Sequence, residues 1–189
     1  MTTLPFPALV GLEPAQQALL LLAVDPELRG VVLAAPAGAG KSSLARGVRA
    51  LIGDIPFIEL PLGADEEALL GGLDIEATLR HRRRTARPGV LARAHGGIVY
   101  VDQLNLLGDG PANLLMAAIE RREVAIEREG LSMRAAAGFC LIGSYDPAEG
   151  APRRHLLDRV GLLAVLPRNA DAPQRTEVLR NNLRMPPES

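Results

Sequence analysis

Short apolar runs alternate along this chain with segments of helical spacing, and that alternation predicts an α/β sheet fold. "GVVLAA" (Gly30 to Ala35), "FIELPL" (Phe57 to Leu62), "IVYVD" (Ile98 to Asp102), "FCLIGSYDP" and "LLAVLP" read as strands. Helical spacing marks "SSLARGVRALI" (Ser42 to Ile52), "VLARAHG", "PANLLMAAIERRE" (Pro111 to Glu123), "RRHLLDRV" and "APQRTEVLRNNLR" (172–184). Near the start, Pro14 is placed like a first-turn proline, so "ALLLLAV" (Ala18 to Val24) reads as a buried helix. "DEEALLGGLDIEATLR" reads as short helical pieces interrupted by Gly71 and Gly72, and "HRRRTARPG" (His81 to Gly89) as an arginine-rich loop. "VAIEREGLSMRA" alternates about a Glu-Gly turn, as a β-hairpin does.

Composition narrows the classes. At 189 residues the chain suits one domain with a sizeable core, and 48% apolar with 23% charged residues is ordinary for a soluble globular fold. A net charge of -1 gives no whole-chain field to recruit nucleic acid or an anionic membrane. The arginine run has no interleaved aromatics, in a chain with only 3% of them, so a solvated loop or protein-docking surface is favoured over a nucleic-acid patch. The richest apolar run is too short to span a bilayer. The N-terminus lacks the basic start and long apolar core of a signal peptide, so a cytoplasmic location is expected. Cys140 has no intramolecular disulfide partner and sits in an apolar run, as a buried structural thiol would. Residues 1–184 are expected to form the domain, with "MPPES" (185–189) as the start of a linker.

The candidate chemistry begins at "APAGAGKSS" (Ala35 to Ser43), a glycine loop between a strand and a helix, which is the context of a Walker A phosphate loop. Backbone N–H groups of Gly38, Ala39, Gly40, Lys41 and Ser42 would cradle phosphate. Lys41 would reach the β- and γ-phosphates, and Ser42 would place its hydroxyl on Mg²⁺. Pro36, Ala37 and Ser43 complete the nucleotide-binding loop, although Pro36 has no N–H to give. Ala35 stands where the motif has its first glycine; Pro36 biases it to an extended backbone that alanine accepts. A glycine turn that happens to precede a helix is the bland alternative.

Asp102 closes an apolar strand, and a carboxylate there suits the Mg²⁺ of a bound nucleotide; a helix-capping aspartate is the other reading. Gln103 follows where nucleotide-hydrolysing relatives of this strand usually carry glutamate. An amide can hold a water by hydrogen bonding but cannot take its proton at neutral pH. Loss of a general base typically lowers a rate by about 10²–10⁴. The site is therefore expected to bind ATP and turn it over slowly.

Over nearly its whole length the chain resembles the AAA+ module of magnesium chelatase, the enzyme that inserts Mg²⁺ into protoporphyrin IX. "ALVGLEPAQQALLLLAVDP", "PGVLARAHGGIVYVDQLNLL", "AIEREGLSMR", "GSYDPAEG" and "LLDRVGL" carry the resemblance. It implies an AAA+ P-loop NTPase core: an α/β fold with a mostly parallel sheet flanked by helices, a β-hairpin before the sensor-1 strand, and a helical lid largely absent. It implies MgATP as cofactor, with Val10 and Gly11 near adenine, Asp146 at the family's sensor-1 asparagine, and Arg159 as an arginine finger reaching a neighbour's γ-phosphate. For Arg159 the alternative is a surface salt bridge with Asp158 or an adjacent acid; Asp158 is otherwise expected to position the arginine or the interface. Ala35, Gln103 and Asp146 all depart from the active pattern, which resembles the D subunit more than its ATP-hydrolysing I paralogue. The partners implied are the I subunit, in a homo- or hetero-hexameric ring, and the porphyrin-binding H subunit, in the cytoplasm or a plastid stroma. An independently active remodelling ATPase of the MoxR kind is the alternative.

Overall fold

A computed structural model describes residues 6–128 and 131–166, together with 176 and 180. Among the described residues five strands form one parallel sheet, in the order β2 (Phe57–Glu59), β5 (Ile98–Val101), β8 (Cys140–Tyr145), β1 (Gly30–Ala34) and β9 (Leu162–Val165). The three central strands are short and almost wholly apolar because both sheet faces are covered; every residue of β1 and β5 is buried. One face packs on the N-terminal segment with α1 (Glu13–Val24) and α2 (Lys41–Gly47). The other packs on α4 (Glu66–Leu70), α6 (Val90–Arg93), α7 (Asp109–Arg121) and α8 (Arg154–Leu157).

Register brings the chemistry together. Ala34 pairs with Tyr145, and Val101 pairs with Gly143. The residues that follow β1, β5 and β8 therefore emerge side by side at one sheet edge, the position where open α/β sheets bind ligands.

Several expected elements take a different form. The helix expected over Ser42 to Ile52 is divided at Val48 into α2 and α3 (Arg49–Ile52). The second strand stops at Glu59, two residues before Pro61. Gly71–Leu73 is a strand, β3, paired antiparallel with β4 (Ala86–Pro88), where an interrupted helix and a loop were expected. The two backbones touch so closely that a Cβ on Gly71 would lie 2.1 Å from the Arg87 carbonyl oxygen, so glycine is required there. Between β3 and β4 the chain forms α5 (Ile75–His81), whose Ile75 and Leu79 are exposed. In α1, Ala15, Ala18, Leu19 and Leu22 are buried, but Leu20, Leu21 and Val24 face outward, so the helix is one-sided rather than enclosed. Cys140 is half-buried, and burial pushes its thiol pKa up.

The expected hairpin is β6 (Glu123–Arg128) with β7 (Leu131–Ala136), before β8. The helix expected over 172–184 and the linker over 185–189 lie outside the described residues, apart from Thr176 and Arg180, which are helical. No helix among the described residues is long and apolar enough to cross a membrane.

Candidate nucleotide-binding site

The glycine loop starts as an extension of the sheet: the Ala35 N–H donates to the Tyr145 carbonyl at 3.1 Å, and Ala35 is buried. Alanine suits this extended position. Gly38 (φ 76°) and Gly40 (φ 85°) then turn the chain through the left-handed region into α2, a conformation only glycine adopts freely. Lys41 Nζ donates to the Pro36 carbonyl at 2.9 Å and to the Ala35 carbonyl, so its ammonium lies across the mouth of the loop.

Asp102 is the hub opposite. Its Oδ2 accepts from Ser42 Oγ at 3.0 Å; its Oδ1 accepts from Ser144 Oγ and, at 3.1 Å, from the Gln103 N–H. Burial by itself pushes the Asp102 carboxyl up, but the bonds from Ser144, Ser42, Tyr100 and the Gln103 amide together hold it below its ordinary value. Burial pushes the Tyr100 phenol up. Ser144 is a fully buried polar side chain, placed beside Asp102 by the β5–β8 register.

Gln103 has φ 54° and ψ 50°, a left-handed backbone that ends β5 and starts the turn Leu104–Leu106. Asp146 follows β8. Its Oδ2 accepts from the Ala37 N–H at 2.9 Å and its Oδ1 from the Ala148 N–H at 2.9 Å, so this carboxylate ties the glycine loop to the end of the sheet.

These groups line one cavity of about 370 Å³: the loop from Ala37 to Ser43, Asp102, Gln103, Asp146 and Glu149. A larger cavity, about 660 Å³, is lined mainly by apolar groups such as Leu22, Ile98 and Phe139, and holds none of this chemistry. The smaller one has the donor set for a triphosphate with a hard cation. It combines a glycine loop, a lysine, and the adjacent oxygens of Ser42 and Asp102, the ligand type Mg²⁺ takes. Three carboxylates face one lysine there, which favours a nucleotide that arrives with its cation.

Val10, Gly11 and Pro36 do not line this cavity. Leu12 beside Gly11 is close to the loop, its Cδ1 3.3 Å from where a Gly40 Cβ would be. Arg159 is also outside the cavity. Its Nη1 donates to the His155 carbonyl at 2.7 Å and its Nη2 pairs with Glu120 on α7. Of the acids considered for a salt bridge with Arg159, the partner is Glu120 and not Asp158, which pairs with Arg154 at 4.0 Å because it lies one helical turn beyond that residue.

Sequence reasoning missed Ser144, Tyr100, Glu149 and Glu120. Ser144 carried a signal: a hydroxyl two residues before Asp146, in an apolar strand, shares that residue's side of the pleat. Glu120 carried none, since it is 39 residues from Arg159 in sequence.

Residues 30–160 match the AAA domain, dynein-related subfamily. The chain is 48% identical over 159 residues to the magnesium-chelatase 67 kDa subunit of Chlorobaculum parvum, a match covering 84% of this chain and 26% of that protein. It is 37% identical over 208 residues to the magnesium-chelatase 38 kDa subunit of Rhodobacter capsulatus, covering 93% of this chain and 59% of that one. A solved structure of the complex between subunits BchI and BchD of magnesium chelatase superposes with a TM-score of 0.80 at 35% identity, over 98% of this chain and 68% of that one. The chain belongs to the AAA domain family, and the relatives it is similar to include subunits of magnesium chelatase. It spans about a quarter of the length of the 67 kDa relative.

Proposed function

We propose that this chain is an ATP-binding platform module of magnesium chelatase, of the D-subunit kind, with little hydrolysis of its own. In this reading the backbone from Gly38 to Ser42 and the Lys41 ammonium hold the phosphates, Ser42 and Asp102 hold Mg²⁺, and Val10 and Gly11 lie near adenine. Its ring partner is the hydrolysing I subunit, and the assembly serves porphyrin metallation on the H subunit. Arg159 supplies an arginine finger to a neighbour, and Asp146 occupies the sensor-1 position.

The observation that carries this reading is Gln103. It lines the same cavity as Lys41, Ser42 and Asp102 and puts an amide where a proton acceptor is needed. The γ-phosphate is bound while the attacking water keeps its proton. The second reading, an independent MoxR-like remodelling ATPase, draws on the intact Lys41, Ser42 and Asp102 set. Steady-state ATP hydrolysis by the purified chain, alone and with the hydrolysing partner subunit, separates the two. The platform reading expects turnover about 10²–10⁴ below that of an ordinary AAA+ ATPase. Full turnover by the chain alone would establish the remodeller instead.

A further inference from the structure

Arg159 is held from two sides by its own chain. Its Nη1 donates to the His155 carbonyl and its Nη2 pairs with the Glu120 carboxylate in the last turn of α7. Its Nε is buried and makes no hydrogen bond among the described residues. A guanidinium has five N–H donors. Glu120 and His155 take one from each terminal nitrogen, which leaves each of those nitrogens one proton. A second ion pair, Arg153 to Asp109 in the first turn of α7, anchors the other end of the same segment. The segment from Arg153 to Arg159, which includes α8 and the turn after it, is thus fixed along α7 at both ends. We infer that Glu120 is the positioning residue for Arg159: it fixes the plane of the guanidinium so that its two remaining terminal protons are set for the phosphate oxygens of a neighbouring subunit.

This rests on the finger reading of Arg159. An arginine side chain has substantial rotamer freedom, and a finger must lose it before it can stabilise a transition state. A carboxylate and a carbonyl on opposite terminal nitrogens remove that freedom in advance. Glu120 touches no reacting atom in this arrangement and acts only through Arg159. The pair is accessible enough to work at an interface, with side-chain exposures of 29% for Arg159 and 45% for Glu120. The opposite device would be a lock, in which Glu120 neutralises the finger until a partner displaces it. The second bond, to the backbone of His155, favours positioning, because a lock needs only the charge.

The test uses the full-length subunit reconstituted with its hydrolysing partner, assembly being followed by size-exclusion chromatography. Steady-state ATPase is measured for Glu120→Ala, Glu120→Gln, Arg159→Ala and the double variant Glu120→Ala/Arg159→Ala. Arginine fingers are worth about 10³–10⁵ in rate, so partial loss of positioning should lower kcat by roughly tenfold in Glu120→Ala, with KM for ATP unchanged. Glu120→Gln, which keeps a hydrogen-bond acceptor, should recover most of it. The double variant should be no slower than Arg159→Ala, as for residues acting through one group. A Glu120→Ala rate equal to wild type, beside a slow Arg159→Ala, overturns the positioning role alone. A faster Glu120→Ala shows a lock and overturns it as well. An Arg159→Ala complex that assembles and runs at the wild-type rate overturns the finger reading itself. If Glu120→Ala does not assemble, the near-isosteric Glu120→Gln decides: a loss of assembly there too shows a purely structural pair.

Discussion

One amide separates Gln103 from glutamate, and the two fill nearly the same space, so the difference is chemical rather than steric. Lys41 differs in kind: in the proposed site its ammonium would neutralise phosphate charge in the ground state as well as the transition state. Lys41→Ala should therefore weaken binding of a fluorescent ATP analogue at least tenfold (about 1.4 kcal/mol or more), while Gln103→Glu changes it little. Equal affinities for wild type and Lys41→Ala in a fluorescence titration would remove the phosphate-loop reading. Ser144 acts through Asp102. The folded Asp102 carboxyl lies below its ordinary value, so the stability it confers is complete above about pH 4 and is lost as pH falls through that lower folded value. Ser144→Ala removes a donor to the charged form. It should cost about 1–3 kcal/mol at neutral pH and shift acid unfolding to higher pH, as read from denaturant melts across the acidic range. Lys41, Ser42, Asp102 and Gln103 were legible in sequence because strand, loop and helix fix them locally. Ser144 left a period-two signal in β8, but its partner Asp102 follows only from the β5–β8 register, and Glu149 and Glu120 depend on chain packing that no local pattern encodes.

Helix α7 connects the two ends of the proposed machinery. It follows directly from the turn after Gln103 and carries Glu120 in its last turn. Leu115 on this helix is fully buried, whereas Leu79 on α5 is 75% exposed. Leu115→Ala should destabilise the chain by about 2–5 kcal/mol. Leu79→Ala should stay within about 0.5 kcal/mol, as a surface change does. Urea melts of the two variants check this, and equal effects would contradict the burial of α7. The sequence pattern marked both segments as helical and could not tell these leucines apart, because α5 has too few turns to declare a buried face. The β3–β4 ladder escaped for a related reason. Gly71 and Gly72 read as breakers and residues 81–89 as a loop, yet the close backbone approach at Gly71 is what the glycine permits. The three central strands were legible because burial on both faces makes them continuous apolar runs, and the partly exposed outer strands β2 and β9 because they too are mostly apolar.

For the whole molecule, a platform that binds MgATP without consuming it should be stabilised by its ligand for as long as the ligand lasts. Binding to the folded state alone adds about 2.7 kcal/mol when the nucleotide is at 100 times its Kd. For a chain of this size that raises Tm by roughly 5–10 °C. The cavity sets three carboxylates against one lysine, so ATP with a chelator in place of Mg²⁺ should give a much smaller shift. Lys41→Ala should give almost none. Gln103→Glu should start with the wild-type shift. If that substitution restores hydrolysis, its shift should decay during incubation toward the value given by ADP, while the wild-type shift holds constant. Thermal-shift curves taken at intervals after MgATP addition measure all four. A wild-type shift that decays as fast as that of Gln103→Glu would mean that the amide at position 103 does not hold back hydrolysis, and that the chain is an active ATPase whose proton acceptor lies elsewhere, with Asp146 and Glu149 in the same cavity as the first residues to exchange.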